Sequence, residues 1–174
     1  MLETKRLLLR EMTENDWIDL CEILQDEEVM YAYEHAFSDE EVREWLDRQL
    51  ARYEEYGHRY GLWAAVLKET GEMVGQAGLT MQDFKGGQVL EIGYLFKKRH
   101  WHKGYAIEAA AACKNYAFEE LNEPRVYSII RDSNTASQNV AARNGMKPVG
   151  TFVKHYYNMD MPHILFCVEK EREM

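Results

Sequence analysis

The stretch Val89-Leu90-Glu91-Ile92-Gly93-Tyr94-Leu95-Phe96, followed by Lys97-Lys98-Arg99-His100-Trp101-His102-Lys103-Gly104-Tyr105-Ala106, decides the fold. Its first eight residues read as a strand and the basic run as a loop. Gly104 then opens a long helix whose inner face is Ala106, Ala109, Ala110, Cys113, Ala117 and Leu121. Small residues on that stripe let the helix lie close to a sheet. Arg125–Arg131, with Val126, Ser128 and Ile130 alternating, reads as the next strand. Strand, helix and strand form one crossover in the middle of a mixed α/β sheet. A helix N-terminus carries unpaired N–H groups and a partial positive charge, so it attracts anions. Glycine at the opening admits an anion to the backbone, and four fixed cations and two histidines stand beside it with no acid between. That composition points to a phosphate. Neither G-x-x-x-x-G-K-[ST] nor G-x-G-x-x-G is present, so the loop is not a P-loop or a dinucleotide fingerprint.

Working outward, Leu7-Leu8-Leu9 within Lys5–Met12 reads as a first strand. Trp17, Leu20, Cys21 and Leu24 fall at i, i+3, i+4 and i+7, one face of an amphipathic helix. Ser38-Asp39-Glu40-Glu41 has the form of a capping box, and Val42, Trp45, Leu46, Leu50 and Tyr53 follow as the stripe of a second helix. Residues 60–67 and 73–81 read as a hairpin around Glu69-Thr70-Gly71-Glu72, and Lys85-Gly86-Gly87 turns into the strand Val89–Phe96. Beyond the crossover, a short helix spans about Ala136–Asn144 and stops at Gly145. Strands near Lys147–Tyr156 and His163–Glu169 close the chain. The predicted order is β-αα-βββ-α-β-α-ββ.

The 174 residues, 46% hydrophobic and 29% charged, fit one globular domain over 1–174. Apolar runs such as Leu62–Leu67 are far shorter than the roughly 20 residues that span a bilayer, and no apolar leader follows Glu3, Lys5 and Arg6. Cys21, Cys113 and Cys167 are odd in number and widely spaced, which fits a reducing compartment and predicts a cytoplasmic protein without a membrane association. The net charge of −9 is uneven: residues 11–55 hold 16 acids against three bases, a net of −13, while the remainder carries +4. Acidic proteins are poor non-specific partners for polyphosphates, so no nucleic-acid partner is expected. The acidic block is either a solvated helical face or a surface that attracts a cationic substrate.

Glu91-Ile92-Gly93-Tyr94-Leu95-Phe96 together with Trp101-His102-Lys103-Gly104-Tyr105-Ala106-Ile107-Glu108-Ala109 resembles the acetyl-CoA motif of the GNAT superfamily of N-acetyltransferases. The branch it resembles most is RimJ/RimL-like, the ribosomal-protein N-terminal acetyltransferases, whose loop commonly reads W-G-K-G-Y-A-x-E-A. Glu3-Thr4-Lys5-Arg6-Leu7-Leu8-Leu9-Arg10 with Asp16 matches the branch's opening, Asn134-Thr135-Ala136-Ser137 its N-x-x-S, and Asn144-Gly145-Met146 its L-G-F. The resemblance covers roughly residues 2–168, and the ordered set is what makes it specific.

The resemblance implies a GNAT-type mixed, mostly antiparallel central sheet with splayed central strands. It implies acetyl-CoA as donor, no metal, and a primary amine of a small molecule, peptide or protein N-terminus as acceptor. Backbone N–H groups from Trp101, His102, Lys103, Gly104, Tyr105 and Ala106 would hold the CoA pyrophosphate. The pantetheine arm would lie along Tyr94 and Phe96 like an added strand. A backbone N–H near Tyr94 or Leu95 would stabilise the oxyanion. Asn134 would orient the cofactor, Ser137 would protonate the leaving thiolate, and Glu91 would act as the base, through water. Two positions depart from the branch: its first loop glycine is His102 here, and the tyrosine that many members use as thiolate acid is replaced by Ala141.

Other readings are a cysteine acyl-enzyme built on Cys113 or Cys21, a metalloenzyme built on His100 and His102, an RNA contact at the basic run with Trp101, and a non-catalytic acyl-CoA sensor. The cysteines fall on packed helix faces, and no HExxH or His/Asp cluster accompanies the His100-x-His102 pair. The acceptor and the oligomeric state stay open, with a homodimer the ordinary expectation for such folds.

Overall fold

The computed structural model describes residues 1–156 and 159–172. Its elements are β1 (Leu2–Glu3), β2 (Leu7–Arg10), α1 (Trp17–Leu24), α2 (Asp39–Glu55), β3 (Leu62–Leu67), β4 (Met73–Phe84), β5 (Gly87–Phe96), α3 (Tyr105–Glu119), β6 (Arg125–Arg131), α4 (Thr135–Arg143), β7 (Lys147–Tyr156) and β8 (Met159–Glu169). The eight strands form one sheet in the order β1-β2-β3-β4-β5-β6-β8-β7. Every neighbouring pair is antiparallel except β5 and β6, which the α3 crossover makes parallel. The sheet is therefore mixed, as the element order predicts, and mostly antiparallel, as the resemblance implies.

Local chemistry explains the helices. Ser38 caps α2 in a complete capping box with Glu41, and Thr13 does the same with Asp16 in the short turn before α1. The α3 stripe of Ala109, Ala110, Cys113 and Ala117 is essentially free of solvent exposure and seats the helix against the sheet. On α2, Val42, Leu46 and Tyr53 are buried, and Tyr53 donates its hydroxyl proton to the Leu62 carbonyl at 2.5 Å. Among the glycines, Gly78 allows the tightest backbone approach: a Cβ there would lie 2.0 Å from the Gly61 carbonyl oxygen.

Several boundaries differ from the sequence reading: β3 begins at Leu62, two residues later than expected, and β5 at Gly87, two residues earlier. The first strand is Leu7–Arg10, preceded by a two-residue β1 that registers Leu2 with Leu9. β4 continues to Phe84, because pairing with β5 runs on to the Phe84–Gly87 turn. β8 begins at Met159, four residues before the expected His163. Proline ordinarily interrupts a ladder. Here Pro162 registers with Val153 of β7, just past the last β6 pair, Arg131 with His163. Among the described residues no helix is long and apolar enough to cross a membrane.

Candidate active site

The parallel pair β5 and β6 registers at Glu91 and Tyr127, and next to that point Ser128 Oγ donates to the Ile92 carbonyl at 3.0 Å. Towards the Phe96 end of β5 a cavity of about 460 Å³ opens. Its walls are β5 from Glu91 to Leu95, β6 from Ser128 to Arg131, Asn134 and Ser137 at the start of α4, one face of α2, and the segment 29–37 between α1 and α2. The splay of the central strands thus exposes backbone of β5 that an internal strand would normally use in pairing.

Five of the residues singled out in the sequence meet at this cavity: Glu91, Tyr94, Leu95, Asn134 and Ser137. Asn134 caps α4, its Oδ1 accepting the Ser137 backbone N–H at 3.2 Å and the Tyr31 hydroxyl at 2.6 Å. Tyr94 donates its hydroxyl to the Ser137 carbonyl at 3.2 Å, and burial pushes its phenol up to about 12. Burial likewise pushes the Glu91 carboxyl up to about 7, against the opposing pull of the Lys154 and Arg52 charges. A carboxylate held there is a base matched to neutral pH. Phe96 is different. Its ring is buried against Gly75, so only its backbone is available to a ligand.

Trp101, His102, Lys103, Gly104, Tyr105 and Ala106 lie beyond the cavity wall, at the end of β5. Trp101 Nε1 donates to the Phe96 carbonyl at 2.9 Å and fixes the loop to that strand. Gly104 caps α3 with φ +80°, so its position favours glycine, and the first-turn N–H groups of α3 have no intrahelical acceptor. His102, where the branch has glycine, sits at φ +61°. It adopts the left-handed backbone that glycine would, a region in which histidine is enriched over most residues. The departure adds an exposed side chain at this position.

The basic run itself reads differently in three dimensions. Lys97 is 2% exposed and its Nζ meets Asp19 at 2.6 Å, Glu22 at 3.1 Å and Glu72 at 3.7 Å. Lys98 pairs with Glu28, Arg99 with Glu22 and Glu72, and the buried His100 with Glu72. Three of the four fixed cations are therefore neutralised within the protein, and Lys103 is the one left beside the helix start. The anion-attracting feature is the helix terminus and its backbone. Arg6, absent from the sequence-derived site, braces it: Nη1 donates to the Lys103 carbonyl at 2.8 Å, Nε pairs with Glu108 at 2.9 Å, and the guanidinium lies 4.4 Å from the Tyr105 ring centre. Thr4 donates to the same Glu108 at 2.6 Å. Burial raises the Glu108 carboxyl, but these donors outweigh it and hold the group below the usual carboxylate range. The Thr4-x-Arg6 motif was legible; its contact with the loop was not.

The remaining cavity residues went unrecognised because they come from separate segments without a local signature. They include Tyr33 and Glu34 before α2, Arg48 and Arg52 on α2, Arg131 on β6, Lys154 on β7 and His163 on β8. The acidic block faces the cavity only through Glu34, Glu41 and Glu44, joined by Glu91. Four fixed cations, Arg48, Arg52, Arg131 and Lys154, line the same walls. Much of the block's charge goes into internal pairs, with Asp16 held by Arg10 and Glu14 and Asp47 by Arg43. Cys113 is fully buried with its thiol pushed up to about 12 by that burial, and neither it nor Cys21 borders the cavity. A thiol so placed is a packing group, not a nucleophile. Ala141 is likewise in the core.

Residues 6–147 match the Acetyltransferase (GNAT) domain family. The chain is 36% identical over 168 residues to the uncharacterized protein YkkB of Bacillus subtilis, covering 90% of this chain and 96% of that one. It is 30% identical over 154 residues to the uncharacterized N-acetyltransferase YnaD of the same organism, covering 88% and 86%. The solved structure of a GNAT-family acetyltransferase from Bacillus anthracis superimposes with a TM-score of 0.81 at 26% identity, covering 97% of each chain. The family uses acetyl-CoA, and structures of the same fold have been solved with CoA bound. The chain belongs to the GNAT family and is an acetyltransferase.

Proposed function

We propose that this protein, as one N-acetyltransferase domain over residues 1–174, moves the acetyl group of acetyl-CoA directly to a primary amine of a small molecule, peptide or protein N-terminus, without a metal. The observation that carries this reading is the shared wall of the cavity. Glu91, a base matched to neutral pH, and Ser137 face the same space as the exposed β5 backbone at Tyr94 and Leu95. The residues present fit the donor: the α3 N-terminus behind Gly104 is open to a pyrophosphate, and the splay after Glu91 leaves strand backbone for a pantetheine arm.

Acetyl-CoA supplies an acetyl group activated as a thioester. Glu91 takes a proton from the acceptor ammonium, through a water, and so frees the lone pair that attacks. A β5 N–H near Tyr94 or Leu95 holds the carbonyl oxygen where negative charge develops. Ser137 Oγ gives a proton to the departing sulfur and recovers one from the attacking nitrogen, which sheds its remaining extra proton as the amide forms; Asn134 fixes the start of α4 that carries Ser137. An α-amine, with an ordinary pKa of about 7.7–8.0, asks less of Glu91 than a lysine at about 10.4. Glu34, Glu41 and Glu44 line the cavity with Glu91, which suits an acceptor that is cationic at its reacting end. The Thr4-x-Arg6 and Asn134-x-x-Ser137 motifs support a RimJ/RimL-like placement within the family.

The test is a screen of N-terminal peptides, polyamines, aminoglycosides and amino acids, reading free CoA thiol. Amine-dependent thiol release is the expected result. Binding of acetyl-CoA with no release from any amine would remove the catalytic reading of Glu91 and Ser137.

A further inference from the structure

Arg48 and Arg52 stand one turn apart on α2 and both line the cavity. Neither makes a salt bridge among the described residues, although Arg43 on the same helix is shared between Glu14 and Asp47, and Arg6, Arg10 and Arg99 each hold a carboxylate. Lys154 lines the same cavity, and its charge and that of Arg52 both reach Glu91. The wall beside the candidate base is therefore rich in positive charge, in a protein whose net charge is −9. The loop 101–106, suited to the donor's phosphates, does not border this cavity. The donor's phosphates are thus seated away from Arg48 and Arg52, which leaves these two guanidinium groups to the acceptor half of the cavity.

Glu34 and Glu44 line the cavity as well. Glu34 Oε2 is shielded from solvent and has no hydrogen-bond partner among the described residues, which is costly unless a ligand donor reaches it. The cavity thus offers both guanidinium donors and an unsatisfied carboxylate oxygen. At about 460 Å³ it is the size of small-molecule sites. A guanidinium prefers a planar carboxylate or a phosphate, which it can grip with two parallel hydrogen bonds.

We propose that the acceptor is a small amine that also carries a carboxylate or a phosphate, seated on Arg48 and Arg52 so that its amine meets Glu91. This rests on the site being an acetyl-transfer site and names the class of acceptor it takes. An acceptor anchored by its anionic group places its nitrogen reproducibly, and the neighbouring cations keep Glu91 from being protonated too readily. A second donor group on the acceptor, an amide or hydroxyl, would satisfy Glu34.

The experiment compares matched pairs of acceptors with the full-length protein and saturating acetyl-CoA. The carboxylate arm sets the α-amino acids against their primary amides; the phosphate arm sets 2-aminoethyl phosphate against ethanolamine. In at least one arm the anionic member should have a kcat/KM on the order of 10-fold or more above its neutral partner, chiefly through KM. The arm that shows it identifies the anion. Arg48→Gln/Arg52→Gln should shrink that ratio to about 2-fold, and Arg48→Lys/Arg52→Lys should restore part of it, with the acetyl-CoA-induced rise in Tm retained in both. Neutral or polycationic amines outrunning the anionic members in both arms would overturn the proposal, as would an equal loss for both members of a pair in the Gln variant. Either result leaves the transferase reading standing. Absence of thiol release from every amine, together with no Tm rise on acetyl-CoA, overturns both.

Discussion

Lys97 Nζ lies 2.6 Å from Asp19 Oδ1 with its own side chain 2% exposed, joining the end of β5 to α1 across 78 residues of sequence. With Glu22 and Glu72 beside it, this lysine is a structural cation, not a phosphate ligand. Lys97→Met should lower stability by about 2–4 kcal/mol, since it strands partly buried carboxylates. Thermal denaturation would show the loss, and acetyl-CoA should still raise the Tm of the variant. Loss of the acetyl-CoA effect in a folded Lys97→Met protein would return Lys97 to the donor site.

Gly104→Val tests the helix start. The position has φ +80°, and a Cβ there would come within 3.3 Å of the Arg6 guanidinium that braces the loop. At a hundredfold excess over Kd, acetyl-CoA should raise the wild-type Tm by roughly 5–11 °C. The variant should show little of that rise. A full shift in Gly104→Val would place the pyrophosphate elsewhere.

For Glu91 the pH dependence has a definite sign. Its folded-state pKa, pushed up from 4.5 to about 7 by burial, means that the base is protonated below neutrality. Acceptor kcat/KM should rise with pH through about 7, and Glu91→Gln should lose that limb along with on the order of 10²-fold in rate. Between pH 4.5 and 7 the folded protein retains a proton that the unfolded chain releases, so this group's contribution to stability falls as pH rises. The Tm of Glu91→Gln relative to wild type should accordingly increase from pH 4.5 to pH 8. A pH-independent difference would show that Glu91 is solvated as an ordinary carboxylate.

Ser137→Ala should lower kcat on the order of 10²-fold and leave the KM for acetyl-CoA nearly unchanged, as for a group acting in the transition state. The backbone N–H that Asn134 caps is kept in this variant, so α4 should be intact by circular dichroism. Unaltered kcat would take Ser137 off the list of proton donors and direct attention to Tyr94, whose hydroxyl reaches the same residue's carbonyl.

Gly78→Ala probes the sheet rather than the site. A Cβ 2.0 Å from the Gly61 carbonyl oxygen cannot be accommodated without moving backbone on β4 or at the start of β3. The expected cost is about 2–3 kcal/mol, a Tm fall of roughly 4–12 °C by calorimetry. A neutral substitution would mean that these strands separate more easily than their packing suggests.

Signals that act over one or two helical turns, or along one strand, were legible in the sequence. The Ser38 capping box, the alanine stripe of α3, the Gly104 helix start and the alternation of Val126, Ser128 and Ile130 each depend on neighbours a few residues away. They determined the order of elements, and the ordered motifs from Thr4 to Met146 determined the family. Pairing across long separations was not legible. Whether Lys97 faces a ligand or Asp19 depends on how α1 packs beside β5, and no periodicity in either segment encodes that. The cavity is the same case: Glu34, Arg48, Arg52, Arg131 and Lys154 reach one space from four segments. The acidic block shows the consequence for charge. A net of −13 is a property of residues 11–55 as a string, but Coulomb forces act over ångströms in space. Tertiary packing set Asp19, Glu22 and Glu28 against Lys97, Lys98 and Arg99 from a distant segment, and left the cavity wall near Glu91 to Arg52 and Lys154.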